Sequence, residues 1–130
     1  MLFRSASTAW KAIMPDGSLV DPGTAGTLRF NANCGIGTTV VTEGTPNKAF
    51  SDIAAADGIV LPEIIYELLL APKEGITNYG NFWINLEGER VPFRGGGCND
   101  TSYAGSSALY LLGGRSDASG DFGFFSAYQE

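Results

Sequence analysis

The chain has 130 residues, a hydrophobic content of 44% and 18 glycines, which together predict one globular domain rich in tight turns. Its net charge of −6 at pH 7 argues against a protein that binds nucleic-acid phosphates. It contains no histidine and therefore lacks the most versatile general base and the commonest transition-metal ligand, so a hydrolase or a zinc enzyme is not expected.

The first third of the chain predicts short strands separated by turns. Pro15-Asp16-Gly17 and Asp21-Pro22-Gly23 are typical turn sequences. Strands are predicted at Ser18–Val20, Thr27–Asn31 and Thr38–Thr42, with turn glycines at Gly35 and Gly37. We therefore expect residues 1–46 to form a β-rich segment. This segment is either a docking or oligomerisation element or part of the same domain as residues 47–130.

Two helices are predicted in the middle of the chain. The first, Phe50–Ala56, ends at Asp57-Gly58. The second, Pro62–Ala71, is clearer, because proline is favoured at the first helical position and Pro72 stops the helix. Its apolar face consists of Ile64, Ile65, Leu68 and Leu69. The helical spacing of these residues predicts that the face packs in the core.

Strands return after Tyr79. Asn81–Asn85 and Arg90–Phe93 are predicted to pair as a hairpin around a turn at Glu87-Gly88-Glu89. Ser107–Leu112 and Phe122–Ala127 predict two further strands. The predicted class is α+β, with one or two helices and several short antiparallel strands.

The cysteines and the apolar stretches limit the redox chemistry and the location of the chain. Cys34 and Cys98 are too few for a cysteine-only zinc site. They could form one disulfide or remain two thiols, and the second interpretation is favoured because one bridge is not a secreted-scaffold framework. No signal peptide is predicted, and the longest apolar stretch, Ile64–Pro72, is too short to span a bilayer. We therefore expect a soluble protein with no membrane insertion.

The segment Arg94–Phe125 has an unusual composition. From Arg94 to Tyr128 there is no Lys, Glu, Gln, Met or Trp, yet glycine, serine and other turn-forming residues are abundant. Tyrosine provides large, rigid contact area and serine, glycine and asparagine provide adaptable hydrogen bonds, as in antibody loops. If Leu109 and Leu111 point into the core, the two-residue period of a strand sends Tyr110 and Leu112 outward.

Several spaced motifs in this part of the chain carry a family resemblance. They are Glu89-Arg90-Val91-Pro92, Arg94-Gly95-Gly96, Ala104-Gly105, Leu109 with Leu111, Arg115-Ser116 and Gly123-Phe124. Their order and spacing resemble the C-terminal part of C-type-lectin-fold domains of the formylglycine-generating-enzyme type. Within that group the chain looks most like the variable proteins of diversity-generating retroelements and their phage and prophage relatives. The resemblance covers Pro62–Phe125, and it departs from the family pattern at Cys98 (usually tryptophan) and Phe125 (usually arginine).

The resemblance implies a C-type-lectin-like fold for residues 47–130, with some positions variable and ligand-binding and others fixed and structural. Randomised adenines in asparagine-type codons cannot produce the five missing residue types, which accounts for the composition. The variable, ligand-binding positions would be Cys98, Asn99, Asp100, Thr101, Ser102, Tyr103, Tyr110, Leu112, Gly113, Asp117, Ser119 and Asp121. We expect these side chains to form one contiguous exposed face, with Tyr110 as its main exposed aromatic.

The matching fixed residues have predicted structural roles. Arg94 and Arg115 could tie loops down by hydrogen-bonding carbonyls or carboxylates. Gly95 and Gly96 would allow positive φ or close backbone approach, and Ala104-Gly105 would fit where a larger side chain cannot. The fixed set also includes Leu109, Leu111, Ser116 and Gly123.

The implied function is ligand binding. The chain would lie on the surface of a phage or prophage virion, bind a host-surface protein or glycan, dock to a virion carrier protein through residues 1–46 and form a homo-oligomer such as a trimer. We expect no catalysis and no cofactor. No dense carboxylate spacing indicates a metal, although Asn99, Asp100, Asp117 and Asp121 could supply oxygens. The alternatives are a purely structural virion protein and a relative of the formylglycine-generating oxidases.

Overall fold

The computed structural model describes residues 2–4, 10–38, 47–77, 80–87, 90–97, 99–114 and 116. Within these ranges the chain has a mixed α+β fold, made mostly of short strands in three small sheets with one short helix. The α+β class predicted from the sequence is confirmed. The predicted strand Phe122–Ala127 and the predicted turn at Gly88-Glu89 lie outside the described residues.

The first sheet contains β1 (Leu2–Arg4), β2 (Trp10–Ile13) and β3 (Leu19–Val20), all antiparallel. The turn between β2 and β3 is explained by its residues. The Asp16 carboxylate accepts hydrogen bonds from both the backbone N–H and the hydroxyl of Ser18. Gly17 has a φ of 85°, which glycine adopts without steric cost. The predicted turn at this position is confirmed, as is the strand after it.

The second sheet has the order β4 (Arg29–Phe30), β5 (Gly35–Gly37) and β7 (Ala54–Ala55). The predicted turns at Gly35 and Gly37 are wrong, because both glycines lie in a buried strand that packs too tightly for side chains. A Cβ on Gly37 would lie 2.8 Å from the Cβ of Ala56. Thr38 is in a bend, and the rest of the predicted strand Thr38–Thr42 lies outside the described residues.

The predicted helix Phe50–Ala56 is also wrong. Phe50–Asp52 form a single 3₁₀ turn, and Ala54–Ala55 continue as β7, parallel to β5. The backbone N–H of Ala54 donates to the carbonyl of Cys34. Pairing with a buried strand therefore overrides the helical tendency of three alanines.

The third sheet has the order β6 (Asn47–Ala49), β8 (Asn81–Ile84), β10 (Gly105–Leu111) and β9 (Phe93–Gly95). β10 is parallel to β8 and antiparallel to β9. The predicted hairpin between Asn81–Asn85 and Arg90–Phe93 is therefore wrong, because β10 lies between the two strands. β10 is the longest strand of this sheet, and in the central position its backbone pairs on both edges.

The helix α1 spans Glu63–Glu67 with Pro62 as its N-cap, so it ends four residues before the predicted Ala71. Leu69 has a φ of 52°, which turns the chain out of the helix. Ile65 is buried as predicted, but Leu68 and Leu69 are 37% and 45% exposed. Leu70 is buried instead, since the left-handed residue before it shifts the apolar period by one position.

One hydrophobic core joins the first third of the chain to the rest. It contains Ile13, Leu28, Phe30, Cys34 and Ile36 together with Phe50, Ile53, Leu61, Ile65, Leu70, Phe82, Ile84, Leu109 and Leu111. The rings of Phe30 and Phe82 link the second and third sheets, with centroids 5.1 Å apart. β5 before residue 46 also pairs with β7 after it. A separate docking role for residues 1–46 stays a prediction.

Candidate functional site

The predicted variable residues that lie together are those between β9 and β10. We call residues 96–104 the surface loop; residue 98 lies outside the described residues. The exposed side chains of the surface loop are Asn99, Thr101, Ser102 and Tyr103. Tyr103 is 54% exposed and is the largest of them. The loop thus presents an amide, two hydroxyls and a phenol side by side in the chain.

Hydrogen bonds made by Asp100 hold the surface loop together. Asp100 is half-exposed. Its carboxylate oxygen Oδ2 accepts a hydrogen bond from the backbone N–H of Gly97. Its backbone N–H donates to the Gly97 carbonyl (3.1 Å), and its carbonyl accepts from the Tyr103 N–H (2.8 Å). A 3₁₀ turn comes next at Thr101–Tyr103, and Thr101 has a φ of 47°.

The two predicted glycine roles at the start of the surface loop are confirmed. Gly95 and Gly96 have φ values of 94° and 89°, which side chains rarely adopt. A Cβ on Gly96 would lie 2.9 Å from the Ala104 Cβ and 3.0 Å from its Cα. The two ends of the loop therefore lie so close together that position 96 has no room for a side chain.

Arg94 has the anchoring role predicted for it. Its guanidinium donates to the carbonyls of Leu68 (2.9 Å), Leu69 and Ser107 (3.4 Å). It also lies 5.7 Å from the centre of the Phe50 ring. Burial lowers the pKa of Arg94 to about 10, so the group is still charged at neutral pH. Arg94 thereby fixes the end of α1 to the strand that leads into the surface loop.

Tyr110 lies on the opposite side of β10 from the core, as the alternation predicted. Leu109 and Leu111 are buried, whereas Tyr110 and Leu112 are half-exposed. Tyr110 is less exposed than expected because its ring packs between Trp83 and Phe93, each with a centroid distance of 6.3 Å. It is therefore part of an aromatic cluster on the sheet.

Gly113 is the one predicted contact residue that the structure buries within the described ranges. Its carbonyl accepts a hydrogen bond from the Val91 N–H at 3.0 Å. The expectation that Gly113 belongs to an exposed face is wrong, because this backbone bond holds it against Val91, two residues before β9. Four predicted contact residues, Cys98, Asp117, Ser119 and Asp121, lie outside the described residues, as do Arg115 and Gly123.

Sequence reasoning missed the neighbours of Tyr110 on the outer face of the third sheet. Trp83 is in register with both Tyr110 and Asn47. The side-chain amide of Asn81 donates to Asn47 Oδ1 at 3.1 Å. The alternation in Asn81–Ile84 was the available signal, because burial of Phe82 and Ile84 directs Asn81 and Trp83 to the other face.

Cys34 is fully buried, and within the described part of the chain it is a free cysteine. Burial raises the pKa of its thiol above the ordinary value of 9.0. Among the described residues, no three His, Cys, Asp or Glu side chains are grouped so that they could hold a metal ion. None of the helices described is long and apolar enough to cross a membrane.

For the residues that the structure describes, these observations define the class as a small mixed α+β domain with a hydrogen-bonded surface loop whose exposed side chains are uncharged. Neither a scan against models of known protein families nor a search of curated proteins finds a match for the chain. The C-type-lectin-like fold therefore stays a prediction from the sequence motifs.

Proposed function

We propose that this chain is a ligand-binding protein whose surface loop contacts the partner. The observation that supports the proposal best is the contrast within the loop. Asn99, Thr101, Ser102 and Tyr103 are exposed, while the backbone beneath them is fixed by hydrogen bonds and close packing. A loop shaped only by solvation would not need this internal order.

The chemistry of the exposed side chains suits recognition. A tyrosine has two side-chain torsions, so Tyr103 can bury a large ring at low entropic cost and still hydrogen-bond through its hydroxyl. Asn99 and Ser102 offer both donors and acceptors. A loop that is already ordered before binding loses less conformational entropy in the complex, which favours affinity.

The family resemblance extends the proposal to a biological setting. In this proposal residues 47–130 have a C-type-lectin-like fold, and the ligand is a host-surface protein or glycan. The chain lies on a phage or prophage virion as a homo-oligomer such as a trimer, with residues 1–46 on a carrier protein. Support comes from the motifs in Pro62–Phe125, and from Arg94, Gly96 and Ala104, whose structural roles separate them from the exposed positions.

Binding is proposed in preference to catalysis, without a cofactor or a metal. A buried thiol with a raised pKa is a poor nucleophile, because the thiolate is the reactive species. Cys34 is such a thiol, and it lies in the core rather than beside the surface loop.

The proposal can be tested with intact bacterial cells as the probe. We expect the fluorescently labelled chain to bind at least one strain of a broad panel, and Tyr103→Ala to weaken that binding by about tenfold or more, as at an interface hot spot. Val60→Ala is the matched control, since Val60 is 84% exposed but lies outside the surface loop. Both variants should unfold within about 0.5 kcal/mol of the wild type. Equal binding by the wild type and Tyr103→Ala would contradict the proposal, as would no binding to any strain.

A further inference from the structure

We infer that Asp100 is a positioning residue, which holds the surface loop in the conformation that presents Tyr103 and does not itself contact the ligand. The inference rests on the proposed function and assigns different roles to Asp100 and Tyr103 within the surface loop. Asp100 carries the only charged side chain among residues 99–103, so without the structure it would be the first choice for a polar contact. The geometry points to the opposite role.

The hydrogen bonds of Asp100 connect the beginning of the surface loop to its end. Oδ2 and the backbone N–H of Asp100 both bond to the backbone of Gly97, one as acceptor and the other as donor. The carbonyl of Asp100 bonds to the N–H of Tyr103 at 2.8 Å. One residue therefore fixes both the entry of the loop and the backbone from which the Tyr103 ring projects.

The carboxylate lies close to the backbone of the surface loop at Gly96 and Gly97. Oδ2 lies 3.0 Å from the position that a Cβ on Gly96 would occupy, on the side where Gly96 touches Ala104. The carboxylate thus occupies the space that a side chain at Gly96 would need. An ionised carboxylate that accepts a backbone N–H makes one of the stronger hydrogen bonds in proteins, so moving it out toward a ligand would be unfavourable.

This arrangement predicts different kinetic effects for two neighbouring positions. Removing Tyr103 deletes a contact, which speeds dissociation of a bound partner. Removing the Asp100 carboxylate leaves the contacts intact but lowers the fraction of molecules whose loop is ready to bind. The apparent affinity then falls in proportion to that fraction.

The kinetic difference can be measured without the natural ligand. The probe is an antibody fragment selected on the folded wild-type chain and required to lose binding to Tyr103→Ala. For Asp100→Ala we expect association about tenfold slower with dissociation unchanged, and about tenfold faster amide exchange at Gly97 and Tyr103. Asp100→Asn keeps a side-chain oxygen that can accept from Gly97, so it should stay within about twofold of the wild type in both measurements.

Three outcomes would overturn the inference. The first is an Asp100→Ala variant with wild-type association and amide exchange. The second is faster dissociation of the antibody fragment from Asp100→Ala, which would make Asp100 a contact residue. The third is an Asp100→Asn variant with the same slow association and fast amide exchange as Asp100→Ala. That result would show that an acceptor oxygen at this position is not sufficient to order the loop. None of these measurements uses bacterial cells, so they separate failure of this inference from failure of the proposed function.

Discussion

The surface loop and a second loop at residues 31–34, which we call the core loop, are ordered by the same kind of side chain. In the core loop Asn31 Oδ1 accepts hydrogen bonds from the backbone N–H groups of Asn33 and Gly35, both at 2.9 Å. In the surface loop Asp100 Oδ2 accepts from Gly97. Short side chains with an oxygen two bonds from Cβ can replace backbone acceptors in this way.

The two loops also share one unusual backbone feature. Cys34 and Thr101, neither of them glycine, have φ values of 60° and 47°. Each conformation costs of order 1 kcal/mol and persists because the surrounding bonds determine it. The loops differ in their surroundings, since Cys34 and Ile36 are fully buried at the start of β5, whereas Tyr103 near the end of the surface loop is exposed. The same local arrangement therefore precedes a buried strand in one loop and an exposed tyrosine in the other, and its placement in the fold decides which.

The largest expected effect tests how tightly the surface loop is closed. Gly96→Ala should lower the free energy of unfolding by about 3 kcal/mol, since it adds strain at positive φ to a clash with Ala104. Gly95→Ala is the matched control, because its φ is similar and nothing lies within 4 Å of the added methyl group. It should cost only the strain, about 1–2 kcal/mol. Urea denaturation of both variants measures the difference, and equal losses would show that the loop ends are not in close contact.

Several strands and backbone conformations of the fold could be predicted from local sequence. Strands are predicted at Ser18–Val20, Asn81–Asn85 and Ser107–Leu112, and the structure has them at Leu19–Val20, Asn81–Ile84 and Gly105–Leu111. Gly95 and Gly96 take the positive φ expected of them. The carbonyl-binding role of Arg94 was also foreseen. These features depend on neighbouring residues and on the chemistry of single side chains, which a sequence displays directly.

The wrong predictions depend on distant contacts. α1 ends early where Arg94, twenty-five residues further along the chain, bonds to the carbonyl of Leu69. Gly37 lies in a strand because Ala56 packs against it, and β10 lies between β8 and β9 although β9 comes first in the chain. In the candidate site, the family resemblance and the restricted residue set predicted the exposed tyrosine at position 103 but not the bond of the Asp100 carboxylate to Gly97. No local pattern states which way a loop side chain turns.

The next prediction compares Asn31 and Asp100, the side chains that accept backbone hydrogen bonds in the two loops. Asn31→Ala should destabilise the chain by about 2 kcal/mol, because two backbone N–H groups lose their acceptor in a loop that continues into the buried strand β5. Asp100→Ala should cost only about 1 kcal/mol, since a single backbone N–H, that of Gly97, loses its acceptor. Urea denaturation distinguishes the two values.

Asn31→Asp is the control for the first substitution, since its carboxylate keeps an oxygen for both N–H groups. It should retain most of the stability that Asn31→Ala loses. The comparison between the loops would be reversed by a larger loss for Asp100→Ala than for Asn31→Ala.

The smallest effect concerns the thiol of the core loop and its dependence on pH. Burial raises the pKa of Cys34 above 9.0, so the folded chain holds this proton more tightly than the unfolded chain does. The resulting stabilisation is complete below the unfolded pKa and is lost as the pH rises through the folded pKa. Between pH 7 and pH 9.5 the wild type should therefore lose more stability than Cys34→Ala, which has no thiol at this position.

Thermal unfolding at the two pH values measures this difference, and iodoacetamide provides an independent check on the same thiol. Alkylation of the Cys34 peptide, measured by mass spectrometry, should be much slower in the native chain than in urea, because the thiol is both buried and protonated. In the surface loop, by contrast, the Tyr103 side chain should react with a soluble tyrosine reagent at nearly the same rate in the folded and unfolded chain. Rapid native alkylation of Cys34 would mean that the core loop opens readily. The two loops would then differ less in rigidity than their burial indicates.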